Sequence, residues 1–167
     1  AWKWTGFIPH NRYSIHACKA AIQACVEHHV DEISFAGWGD DGAETSLFAI
    51  LPTLFTNANE IYGNHMSESC FEVLTGISID TFLVIDKVNP CTKDGFTHNN
   101  ASKYFLYNDL LQGTFDSVAQ PSMIHEIQSV LPKISNNSIE KSDLSYYFKT
   151  VQSLIAVLEL KLNLGNE

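Results

Sequence analysis

The sequence predicts an α/β fold over residues 1–63 and a mostly α-helical region over residues 64–167. Three observations carry that reading. Short apolar runs of strand length alternate with longer runs of helical periodicity up to Gly63. The connections between them have ordinary βα length, and that alternation argues for parallel strands with covering helices. Past residue 63 the strand-like runs stop and helical spacings take over, so the boundary between the two units is placed at 63/64.

Residues 2–5 read as a strand end, with Trp2 and Trp4 on one face by the two-residue alternation of a strand. A loop containing Pro9 leads to a helix over 13–30, where Ile15, Cys18, Ala21, Ile22, Cys25 and Val26 recur at three- and four-residue steps. Residues 32–36 are the next strand. A helix over 43–62 carries Leu47, Ile50, Leu51, Leu54 and Phe55. It is split or kinked at Pro52 and stopped at Gly63. Beyond the boundary, helices are predicted over 67–75, 103–111, 123–134 and 143–164, with a short apolar segment at 80–85. Two parallel strands alone are buried on both faces only if neighbours cover them, so further strands are expected beside these.

Composition narrows the function. The 167 residues are 45% hydrophobic and carry a net charge of −9, enough apolar material for a core and the wrong sign for nucleic acid or an anionic membrane. The four cysteines are too scattered for a disulfide framework and show no CxxC metal spacing, which fits a reducing, cytoplasmic setting. No metal or other cofactor is expected. The chain opens Ala1-Trp2-Lys3-Trp4 without an initiating methionine, and both ends read as cut from a longer protein.

The turn Trp38-Gly39-Asp40-Asp41-Gly42 follows the second strand. In α/β folds, ligands bind outside the carboxyl ends of strands, where such loops lead into helices. Asp41 and Glu44 have the spacing of a capping box, which gives both a structural job and leaves Asp40 without one. Turns rich in Asp and Gly are also ordinary. The tryptophans tilt the balance, because aromatic faces stack on the apolar faces of sugar rings while a carboxylate accepts from hydroxyls. Trp38 and Asp40, with Trp2 and Trp4, are therefore the candidate substrate-binding residues for a carbohydrate.

The segments WKWTGFIPHN (2–11), IHACKAAIQAC (15–25) and GWGDDGAETSLFAILP (37–52) resemble the last part of the catalytic barrel of family 20 glycoside hydrolases, the exo-β-N-acetylhexosaminidases, in their bacterial subgroup. SKYFLYNDLLQGTFD (102–116) and VLELK (157–161) are similar to that subgroup's carboxyl-terminal region. The resemblance implies the last two βα units of a TIM (β/α)8 barrel followed by a mostly helical region. It implies that Trp38 walls the sugar and its acetamido group, that Asp40 binds hydroxyls at the non-reducing end, and that either Trp2 or Trp4 faces the same pocket. Family members retain configuration by substrate assistance: the 2-acetamido carbonyl attacks the anomeric carbon, while a glutamic acid protonates the leaving oxygen beside an orienting aspartate.

That Asp–Glu pair belongs to the fourth strand, and the resemblance begins near the seventh, so no catalytic residue is expected in this chain. Asp31-Glu32 precedes its strand and is read as a solvated turn at the stability face. His28 and His29 end a helix, His10 is close enough to the tryptophan pair to reach a ligand, and Tyr146-Tyr147-Phe148 is core or interface. The expected partners are an N-acetylhexosamine-containing glycan and either the rest of the barrel or a second copy of the chain. The alternative from another class is a non-catalytic carbohydrate-binding or interaction module that folds alone.

Overall fold

The computed structural model describes residues 7–37, 44–63, 66–89, 101–112 and 119–164. Helix α1 spans Asn11–Glu27, α2 Leu51–Tyr62, α3 Glu68–Thr75 and α4 Ile79–Leu83. They are followed by α5 Ala101–Tyr107, α6 Pro121–Gln128, α7 Leu131–Ile134, α8 Asn137–Glu140 and α9 Ser145–Leu164. Single 3-10 turns at Leu47–Ile50, Val84–Val88 and Leu110–Gln112 join them.

The α/β expectation is overturned. Among the described residues every regular element is helical and none is a strand, so they form an all-helical domain and contain no βα unit of a TIM barrel. The expected strand 32–36 lies in a stretch, 31–37, with no regular structure, and the expected strand 2–5 lies outside the described residues. The cause is pairing. Extended backbone needs a neighbour for its N–H and C=O groups, and no strand stands beside residues 31–37 among those described. Ile33 and Phe35 are half-buried while Ser34 and Ala36 are exposed, so one face alone rests on the helices.

The prolines act where their missing N–H groups predict. Pro52 sits in the first turn of α2, after the 3-10 turn, so the expected 43–62 helix begins late and in two pieces. Pro132 likewise opens α7 and divides it from α6. Gly63 ends α2 in the left-handed conformation at φ 61°, a geometry that only a residue without Cβ adopts freely. The expected capping box is also corrected. The helical turn starts at Leu47, and Ser46 caps it by accepting from the Phe48 N–H at 3.2 Å. Glu44 lies upstream and pairs elsewhere; Asp41 lies outside the described residues.

The core is built on α9, which buries Tyr147, Phe148, Val151, Ile155, Leu158 and Leu162 along one stripe. Helices α5 to α8 pack against that stripe. Phe82 of α4 sits at the centre, edge-on to Phe71 at 5.6 Å and to Phe148 at 5.2 Å, and stacked on Tyr147 at 6.1 Å. These separations are in the range where aromatic pairs attract beyond their buried area. Ile8 and Ala49 join the same cluster, so one core crosses position 63/64. Phe82→Ala is expected to destabilise the chain by about 3–5 kcal/mol, while the exposed Val73→Ala stays within about 0.5 kcal/mol. Urea unfolding of both variants checks this, and similar losses for the two would contradict the placement of the core.

Candidate functional site

Trp2, Trp4, Trp38 and Asp40 lie outside the described residues. The chain on either side of them is described, and it converges. The Phe7 N–H donates to Ser102 Oγ at 3.4 Å, and Glu44 Oε1 pairs with Lys103 Nζ at 2.8 Å. Two adjacent residues in the first turn of α5 thus hold the flank of segment 1–6 and the flank of segment 38–43. Ser102 is fully buried, and Lys103 is only 9% exposed. A buried ammonium needs a paired carboxylate to offset its desolvation, which explains why Glu44 is drawn to this point and away from a capping role.

Asp86 fixes the same region from below. It is 6% exposed, and its two oxygens accept the N–H groups of Asn11 at 3.1 Å and Arg12 at 2.7 Å. Those are orphan donors of the first turn of α1, so a carboxylate far away in sequence caps that helix and meets its positive dipole end. His10 Nδ1 accepts from the Tyr13 N–H at 3.4 Å and lies 3.7 Å from Asp86. Asn11 Nδ2 donates to the Ala49 carbonyl at 2.9 Å, and its Oδ1 accepts from Thr53 Oγ1 at 2.8 Å. Asn89 Nδ2 donates to the Ile8 carbonyl at 3.2 Å. Burial raises the Asp86 carboxyl above its usual 3.8, against the pull of the Arg12 and Asn11 N–H groups and of the nearby His10 and Arg12. Burial, and then the charge of Asp86, push the Tyr147 phenol far above its ordinary range.

Between these anchors and α9 lies a cavity of about 270 Å³. Phe7, Glu44 and Ser46 form one side of it, and Tyr146, Thr150 and Leu154 of α9 the other. A larger groove of about 500 Å³ runs between α2, α3 and Leu144, but Phe48, Leu51, Leu54, Phe55 and Leu74 line it. The Thr75 hydroxyl there already serves the Phe71 and Ile77 carbonyls and the Ile77 N–H. Apart from Thr75 and Asp143, the wall of that groove is apolar. Among the described residues, no group of three His, Cys, Asp or Glu side chains is placed to hold a metal ion. No helix among them is long and apolar enough to cross a membrane.

The arrangement is that of an all-helical domain whose polar first turn of α5 holds Phe7 and Glu44, the residues beside segments 1–6 and 38–43. Residues 80–167, more than half of the chain, match the family model described as the glycoside hydrolase 20C C-terminal domain. The chain belongs to that family, and the domain is that of a family 20 glycosidase. No curated protein matches the chain. Asp86, Ser102, Lys103 and α9 all fall within the matched span, whereas Phe7 and Glu44 precede it.

Other sequence candidates are placed as follows. Asp31 and Glu32 are exposed, as expected of a solvated turn. His28 ends α1, and His29 follows it at φ 54°. The Tyr146-Tyr147-Phe148 cluster divides, with Tyr147 and Phe148 in the core and Tyr146 82% exposed at the cavity. Asp86 and Lys103 were not among the sequence candidates, and Ser102 lacks the sequence context of a nucleophile. Asp86 alone had a visible signal, a carboxylate inside the apolar run Val84-Ile85-Asp86-Lys87-Val88.

Asp86→Ala strips two first-turn donors of their acceptor and is expected to cost about 1–3 kcal/mol, read by urea unfolding at pH 7. Titration supplies a second check. The folded chain binds the Asp86 proton more readily than the unfolded one. The protonation-linked part of the group's contribution is therefore complete below pH 3.8 and is lost as pH rises through its raised folded value, leaving the two accepted hydrogen bonds as what Asp86→Ala removes at pH 7. The melting-temperature difference between wild type and Asp86→Asn should shrink across that window and level off above it. Growth of the difference with pH would refute the assignment.

Proposed function

We propose that this chain is the carboxyl-terminal part of an exo-acting β-N-acetylhexosaminidase that removes terminal β-linked GlcNAc or GalNAc. Trp38 and Asp40, with Trp2 or Trp4, form one edge of the pocket for that terminal sugar. The reaction retains configuration by substrate assistance, so the acetamido carbonyl is the nucleophile, and the general acid with its aspartate partner lies in another part of the parent protein. The isolated chain binds and does not catalyse, because a pocket wall without the acid stabilises no transition state. A reducing cytoplasm suits the free thiols of Cys18, Cys25 and Cys70.

The observation that carries this reading is the convergence on α5. Phe7 follows Trp4 by three residues and Glu44 follows Asp40 by four. Chain length alone keeps Trp4 within about 11 Å of the first anchor and Asp40 within about 14 Å of the second. The two anchors hold adjacent residues, Ser102 and Lys103. Membership in a glycosidase family gives the tryptophans and the aspartate a sugar to meet.

In the parent enzyme, Asp40→Ala should lower kcat/KM on an aryl N-acetyl-β-hexosaminide by roughly 10- to 150-fold. That range corresponds to about 1.5–3 kcal/mol for a lost hydrogen bond to a charged group. Asp41→Ala should leave kcat/KM within a few-fold of wild type. Equal kinetic damage from the two substitutions would sink the role given to Asp40.

A further inference from the structure

We propose that the cavity beside Tyr146 is a subsite for one pyranose ring, the sugar on the leaving side of the cleaved bond. The inference rests on the preceding reading, in which the terminal hexosamine meets Trp38 and Asp40. Its about 270 Å³ falls just under the roughly 300–1,000 Å³ of drug-sized pockets, a size for one ring and not for an oligosaccharide. The position is also selective. Phe7 and Glu44, the anchored flanks of both candidate segments, are themselves part of its wall.

The chemistry matches a sugar on both of its faces. Tyr146 is 82% exposed in the first turn of α9, where its ring is open to the axial C–H face of a pyranose. Phe7 and Leu154 extend the apolar surface. The Ser46 hydroxyl accepts from the Phe48 N–H at 3.2 Å and retains its proton to donate. The Thr150 hydroxyl donates to the Tyr146 carbonyl at 3.0 Å, leaving its oxygen to accept. One donor and one acceptor beside an exposed aromatic ring fit a ring hydroxyl pair. By contrast, the polar recess of about 390 Å³ between Ser78 and Asn136 has no aromatic in its wall.

The test compares two substrates of the parent glycosidase, methyl N-acetyl-β-glucosaminide, which has no second ring, and N,N′-diacetylchitobiose, which has one. Tyr146 contributes to no core contact that its exposure reveals, so Tyr146→Ala should fold with an unchanged melting temperature. It should lower kcat/KM on the disaccharide about tenfold, the equivalent of about 1.4 kcal/mol, and leave the methyl glycoside within about twofold of wild type. Tyr146→Phe, which keeps the ring, should retain both activities. An equal effect on both substrates, or none on the disaccharide, overturns the subsite. Loss of all turnover in the unsubstituted parent defeats the preceding reading instead. The subsite is then judged by NMR titration of the 167-residue chain with diacetylchitobiose. Shifts at Tyr146 and Thr150 that vanish in Tyr146→Ala uphold it, and silence up to about 50 mM, far above a millimolar dissociation constant, rejects it.

Discussion

The pairing of Lys103 with Glu44 is the constraint on which the neighbourhood of the candidate site depends. Lys103 is nearly buried, and a lone ammonium there would be costly, so the carboxylate of Glu44 helps to offset its desolvation. Delivery of Glu44 sets the end of the turn that carries Trp38 and Asp40 in sequence. Ser102, one residue earlier, receives the Phe7 N–H, and Asp86 receives the N–H groups of Asn11 and Arg12. These contacts join residues 59 to 95 positions apart. Loop closure over such lengths grows only logarithmically in cost, so a few buried polar contacts are enough to hold them.

Helix α9 supports that framework and faces the other way as well. Its inner stripe from Tyr147 to Leu162 closes the aromatic core around Phe82. Its first two turns also present Tyr146 and Thr150 to the cavity. The two roles are mechanically joined. Phe148 and Tyr147 are locked by rings at 5.2 and 6.1 Å, so the backbone that carries Tyr146 has little freedom.

The helices were legible where periodicity was long. The expectation of 143–164 differs from α9 by two residues, and the stop at Gly63 is observed, because an apolar stripe and a left-handed glycine are both written locally. The strands were misread for a physical reason. Residues 32–36 have the composition of a strand, but extended structure is decided by partners that the run itself does not encode, and none stands beside it. Asp41 and Glu44 had capping-box spacing, yet the buried ammonium of Lys103 outcompetes an exposed cap for Glu44. Convergence on Ser102 and Lys103 is a tertiary fact with no local signature. The helix was expected, but not what its first turn would hold. The candidate residues Trp2, Trp4, Trp38 and Asp40 were read from sequence and lie outside the described residues.

A site that must hold hydroxyls within hydrogen-bonding distance has to be positioned closely, because misplacement by about 1 Å can cost a hundredfold in rate. On the described side before segment 38–43, a Cβ added at Gly37 would meet Ile50 Cδ1 at 3.4 Å, an ordinary van der Waals contact. After that segment, Glu44 pairs with the nearly buried Lys103 while remaining exposed itself. Under the proposed function, the helical domain positions a sugar site through Phe7 and Glu44 and supplies none of the reacting groups. On the proposed reading the carboxyl-terminal domain belongs to the catalytic unit of the glycosidase, and loosening α5 would reach the substrate through Phe7 and Glu44, the residues beside segments 1–6 and 38–43.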